Sequence, residues 1–135
     1  MKSGMISVDT NIVVRLLAKD DLDQFQRSSE IFSTQEVFIP DTVILETEWV
    51  LRYAYGFEPG QINDAFRKLL GLTNVHLRDA AVVALAVDWY ENGIDFADAL
   101  HLAQSQHCQK MLTFDRRFVN RAKQITTCPV RVPDS

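Results

Sequence analysis

Apolar positions fall along the chain in two rhythms. Short dense runs occur at Met5-Ile6-Ser7-Val8, in "EVFIP" (36–40), in "NVHL" (74–77), in "KMLTF" (110–114) and in "VRV" (130–132). Such runs read as strands. Between them the apolar residues recur every three or four positions. That spacing predicts helices over about 11–18, 21–34, 41–55, 59–71, 79–93, 95–108 and 115–125. Punctuation agrees: Pro40 stops the second strand and Asp41 is placed to cap the next helix. Pro59 opens a helix, and Gly71 and Gly93 stand near helix ends. Strands separated by helices predict an α/β fold with a central, mostly parallel sheet and helices on both faces. No repeat, low-complexity stretch or linker interrupts the pattern, so a single domain over 1–135 is expected.

Some acids break the pattern. Two strand-like runs end in aspartate, "ISVD" at Asp9 and "MLTFD" at Asp115. If both strands are central, both carboxylates lie on one rim of the sheet, where α/β folds bind ligands. On the helix over 41–55, a stripe of Val43, Val50, Leu51 and Ala54 includes Glu46. A carboxylate there costs several kcal/mol unless it is paired. Glu48 is expected to face away and pair with Arg52, four residues on. In "DFADALHLA", Phe96, Ala99, Leu100 and Ala103 form the inward stripe. Asp95 is a natural N-cap there, and Asp98 falls in the first turn. Acids gathered on one rim repel each other, and hard cations such as Mg²⁺ or Mn²⁺ relieve that repulsion through oxygen ligands.

Composition narrows the classes. The 135 residues are 47% hydrophobic, enough for one real core. Net charge is −4, which argues against a non-specific electrostatic binder of nucleic acid. The charge is uneven, however: Lys110, Arg116, Arg117, Arg121, Lys123 and Arg131 fall within the last 27 residues, which leaves room for a local basic surface. No run is long enough to span a bilayer. The opening "MKSGMISVD" lacks the apolar stretch of a signal peptide, so a cytoplasmic protein is expected, with Cys108 and Cys128 as thiols. His76, His101 and His107 belong to no Cys/His cluster that would complete a zinc site. Trp49, Tyr53 and Phe57 read as core or interface residues, and Trp89 and Tyr90 as packing.

"VDTNIVVRLL", "VILETEWVLR", "DFADALHLA" and "LTFDRRF" resemble, in order, the four acidic motifs of the PIN-domain family. The resemblance covers nearly the whole chain and is closest to the VapC toxins of bacterial toxin–antitoxin pairs. It implies a three-layer α/β/α fold and a metal-dependent endoribonuclease that takes Mg²⁺ or Mn²⁺. It implies a metal-binding, catalytic quartet of Asp9, Glu46, Asp98 and Asp115, supported by Asn11 and Thr113. It selects Asp98 over Asp95, because the family's acid directly precedes an Ala-Leu pair. It also implies an RNA substrate, a homodimer and a cognate antitoxin that blocks the site. Arg116 and Arg117 stand beside Asp115 as candidate phosphate contacts.

Two rivals come from other classes. One is a non-catalytic PIN-like module that binds RNA or protein, which would have no need to gather carboxylates. The other is a haloacid-dehalogenase-like phosphatase. That chemistry wants a second Asp two residues after the nucleophile. This chain has Asn11 there.

Overall fold

The computed structural model describes residues 4–134. Its contacts divide the chain into two compact units, one running to Ala80 and one starting at Ala81. The first holds β1 (Ile6–Ser7), α1 (Thr10–Ala18), α2 (Leu22–Thr34), β2 (Val37–Phe38), α3 (Asp41–Tyr53), α4 (Pro59–Leu70) and β3 (Val75–His76). The second holds α5 (Ala80–Glu91), entered at the boundary, then α6 (Phe96–Ala103), β4 (Met111–Leu112), α7 (Arg116–Ala122) and β5 (Val130–Arg131). Each predicted strand and helix is present, most of them trimmed at their ends, while α1 begins one residue earlier than expected. The α/β alternation holds throughout, and every strand pairing is parallel.

In the first unit β2 lies between β1 and β3, with Val37 opposite Ile6 on one side and Val75 on the other. Val37 and Ile39 are fully buried, as expected of a strand covered on both faces. The Asn74 side-chain amide donates to the carbonyls of Phe32 and Gln35, which ties the entry of β3 to the end of α2. In the second unit β4 pairs with β5, and Met111 lies opposite Val130. Phe96, Ala99, Leu100 and Ala103 are all buried, so the inward stripe of α6 is as read. Tyr90 meets Phe96 edge to face at 5.3 Å, and Trp89 is buried with it. Gly93, at φ 98°, makes the left-handed turn that follows α5. Arg121 donates to its carbonyl. Both cysteines are free thiols. Among the described residues no helix is long and apolar enough to cross a membrane.

Three local expectations are corrected. Asp41 does not cap α3; Pro40 holds the cap position in extended backbone, and Asp41 is the first helical residue. Helix α6 stops at Ala103, five residues short of the expected end. There the Ser105 hydroxyl donates to His101 O and the Gln106 amide to Leu102 O, side-chain bonds that compete with the helix.

The third correction concerns α3, which is rotated from the predicted face. Its buried residues are Val43, Ile44, Thr47, Glu48 and Leu51. Glu46 is exposed, and Glu48 is 2% exposed. The predicted stripe left out Ile44, and burying that side chain turns the helix toward the 44–48–51 face. The turn is tolerable because Arg52 stands one turn after Glu48, with Nε 2.9 Å from its carboxylate. Trp49 and Tyr53 are carried to the solvent side, so neither is a core residue.

Candidate active site

The first unit places Asp9 just past β1, at the head of α1. Its Oδ1 accepts the Ile12 N–H at 3.2 Å, capping the helix. Oδ2 makes no hydrogen bond among the described residues and belongs to an exposed side chain. Thr10, the next residue, is buried and donates its hydroxyl to Glu46 Oε1 on α3. That bond joins the two helices and holds Glu46 against the first residue of α1, the helix that Asp9 caps. Asn11 follows on the exposed side of the same turn.

A groove of about 420 Å³ runs beside Asp9, lined by Asn11, Arg15, Gln24, Arg27 and Ser28. Its two guanidinium groups are held differently. Arg15 donates to Asp20, to the Tyr55 hydroxyl and, through Nε, to Gln24 at 2.6 Å. The Tyr55 hydroxyl in turn donates to Asp20 at 2.9 Å. This bond, then Arg15, holds the Asp20 carboxyl below its ordinary range. The Arg15 bond to Asp20 raises the guanidinium, and burial raises Tyr55. The cluster pins the α1–α2 corner, where Lys19 takes a left-handed conformation at φ 56°. Arg27 is exposed and 3.5 Å from Asp23, a loose surface pair that leaves its charge available to the groove.

The second unit repeats the arrangement at the head of a helix. Asp115 follows β4 and caps α7, its Oδ1 accepting the Phe118 N–H at 3.1 Å. Thr113 Oγ1 accepts the Asp115 N–H at 3.0 Å and fixes the turn that presents it. Asp98 lies in the first turn of α6, with Asp95 at the cap position. Burial pushes the Asp98 carboxyl up, and the charges of Asp95 and Asp115 push it further. Asp98, His101, Met111, Thr113 and Phe118 line a recess of about 550 Å³. Arg116 and Arg117 open α7 and are exposed.

A known family model, the PIN domain, matches the chain over residues 6–124. The chain belongs to the PIN-domain family. The match runs through both units. PIN domains are generally nucleases and typically use divalent metals, so this one carries a nuclease-type fold. No curated protein gives a significant match.

Among the described residues, no three His, Cys, Asp or Glu side chains stand close enough to hold a metal ion. The donor chemistry of each unit nevertheless suits a hard cation. The offered groups are carboxylate oxygens with a free lone-pair side, neighbouring imidazoles are few, and a partly buried acid lies within the field of two others. The sequence reading missed Thr10 as a partner of Glu46. The available signal was a hydroxyl among the apolar residues of the buried α1 face.

The Thr10 bond makes a testable demand. In Thr10→Val, Glu46 loses its donor while volume and burial are kept. We expect any nuclease activity of this PIN domain to fall about 10-fold, in line with loss of a group that orients a site carboxylate. Steady-state rates and circular dichroism on the same preparation check it. A fold intact at full rate would show that the bond is structural only.

Proposed function

We propose that this PIN domain is a metal-dependent endoribonuclease and the toxin of a toxin–antitoxin pair, with both units forming one functional domain. The observation that carries the reading is the Thr10–Glu46 bond: it sets the Glu46 carboxylate beside the helix that Asp9 heads. A binding module gains nothing from tethering an exposed carboxylate to a helix that another acid heads.

Each unit offers a pair of acids that would hold a cation, Asp9 and Glu46 in the first and Asp98 and Asp115 in the second. When bound, Mg²⁺ or Mn²⁺ supplies a Lewis acid that makes water nucleophilic at neutral pH and offsets charge on the attacked phosphodiester. Asp9 and Asp115 each commit one oxygen to a helix cap and keep the other for the site. This double use fixes the carboxylates without large side-chain entropy. Asn11 is placed to orient Asp9 or a water beside it. Thr113 holds the Asp115 backbone, and Thr10 tethers the exposed Glu46 carboxylate to the head of α1. Arg27 in the groove beside Asp9, and Arg116 and Arg117 on α7, are positioned to take phosphates of the RNA chain. The in-line displacement leaves a 5′-phosphate and a 3′-hydroxyl. A homodimer and a cognate antitoxin that covers the acids complete the reading, in a cytoplasmic setting.

The test is a gel assay on total cellular RNA with EDTA, Mg²⁺ or Mn²⁺. Discrete fragments are expected with either metal and none with EDTA. Cleavage that persists in EDTA, or RNA left whole under all three conditions by antitoxin-free protein, would overturn the reading. RNA bound but uncut would favour the non-catalytic module instead.

A further inference from the structure

The exposed face of α3 carries Glu46, then Trp49 three residues on, then Tyr53 four residues further. Trp49 and Tyr53 leave 57% and 62% of their surfaces in solvent. Their ring centroids are 5.2 Å apart with planes tilted by 45°. The Arg52 guanidinium lies 4.7 Å from the centroid of Tyr53. Arg52 is held in turn by Glu48, whose carboxylate is buried. A buried carboxylate thus fixes a half-buried cation, the cation braces a tyrosine, and the tyrosine braces a tryptophan on the surface. The outer face of Trp49 is left open, three residues (about 4.5 Å of rise) from Glu46.

We propose that Trp49 is a stacking platform for one unpaired RNA base next to the scissile bond, with Tyr53 and Arg52 holding its ring in place. The proposal rests on the ribonuclease reading and narrows its substrate to single-stranded segments. Three observations favour a base over a protein partner. Stacked bases repeat at about 3.4 Å, so a base inserted between the two rings would need roughly twice that, more than the 5.2 Å present. The usable surface is therefore the single outer face of Trp49, the size of one base. Second, the two exposed rings together offer on the order of 300 Å². A stable protein interface takes about 800 Å² from each side. Third, the exposed residues that continue this face toward the start of α3 are Glu46 and Thr42, polar side chains that an apolar interface would have to desolvate. Aromatic platforms of this kind bind single strands with little sequence preference, because every base presents a π-face.

The chain's two tryptophans make the test direct. Trp49 is exposed and Trp89 is buried, so only Trp49 fluorescence should respond to a stacked base. Wild-type protein in EDTA is titrated with a single-stranded RNA oligonucleotide and with the same oligonucleotide annealed to its complement. Emission and fluorescence anisotropy of labelled RNA are followed, beside Trp49→Leu and Tyr53→Leu. The single strand is expected to quench emission, and the duplex to quench it at least about 5-fold less at equal concentration. Trp49→Leu should abolish the quench and weaken binding roughly 10-fold, with a smaller loss in Tyr53→Leu. Unchanged RNA affinity in Trp49→Leu overturns the proposal, as does equal quenching by duplex. Size-exclusion chromatography separates the remaining outcome: loss of a dimer in Trp49→Leu with RNA binding intact would make this face a protein contact. Metal-dependent cleavage indifferent to Trp49 would sink the platform alone and leave the ribonuclease standing.

Discussion

Asp98→Asn is expected to lower metal-dependent RNA cleavage by about 10³-fold while the folded protein becomes more stable in EDTA. The loss follows from removing a negatively charged oxygen donor, an interaction worth several kcal/mol in the transition state. The gain follows from where Asp98 sits. Burial and the fields of Asp95 and Asp115 raise its proton affinity in the native state. The folded protein therefore holds this proton more tightly than the unfolded chain does. Stability is fully present below the ordinary carboxylate value and is lost as pH rises through the raised one. At neutral pH the wild type carries the whole penalty, and the Asp98→Asn variant carries none. Melting curves in EDTA across the acidic to neutral range check this, with the wild-type curve falling through an acidic window that the variant lacks. Cleavage at the wild-type rate by the variant would remove Asp98 from the site. A lower melting temperature at neutral pH would mean that the carboxylate has a structural partner worth more than its desolvation.

The second large effect is on stability and lies on α3, two residues past Glu46. Glu48→Ala should destabilise the fold by about 2–4 kcal/mol, measured by urea unfolding, because it removes the buried carboxylate that pairs with Arg52 and truncating a buried side chain leaves a cavity. The figure sits at the lower part of the range for buried pairs because the Arg52 side chain is 27% exposed and can reach water. Glu46→Ala, by contrast, should cost little stability, since its carboxylate is exposed and bonded to Thr10 alone among the hydrogen bonds of the described residues. If the two alanine variants unfold at the same urea concentration, the assignment of the buried acid to position 48 is wrong.

That contrast marks where the sequence is legible and where it is not. Strands and helices can be read because their signals are local. Alternation, Pro40, Pro59, Gly71 and Gly93 act over a few residues, and the structure places every element where those signals lie. The heads of α1 and α7 are legible for the same reason, as Asp9 and Asp115 each precede a helix they cap. The rotation of α3 is not. A helix with Val43, Ile44, Val50 and Leu51 has two competing apolar stripes, and the choice between them is made by neighbours distant in sequence. Spacing marks Glu46 as an acid in a buried stripe, yet the structure puts it in solvent and buries Glu48. The family resemblance selects Glu46 on grounds that do not depend on that burial. Trp49 and Tyr53 change sides with the same rotation. The Thr10–Glu46 bond spans 36 residues, and no short-range pattern announces such a contact.

The double use of Asp9 and Asp115 bears on how a domain of this kind could fall silent over evolutionary time. Each residue closes a helix with one oxygen, and under the proposed function it would offer the other to a cation, so its side chain would answer to two selective pressures at once. Asn and Ser also cap helices well, whereas Ala does not. If demand for catalysis lapses, the helix ends still have to be closed. Decay at these two positions should therefore run through Asn or Ser, leaving a folded domain without its chemistry. At Glu46, which caps nothing, drift has no such guide rail, and a wider range of residues should accumulate there in lineages that have given up cutting.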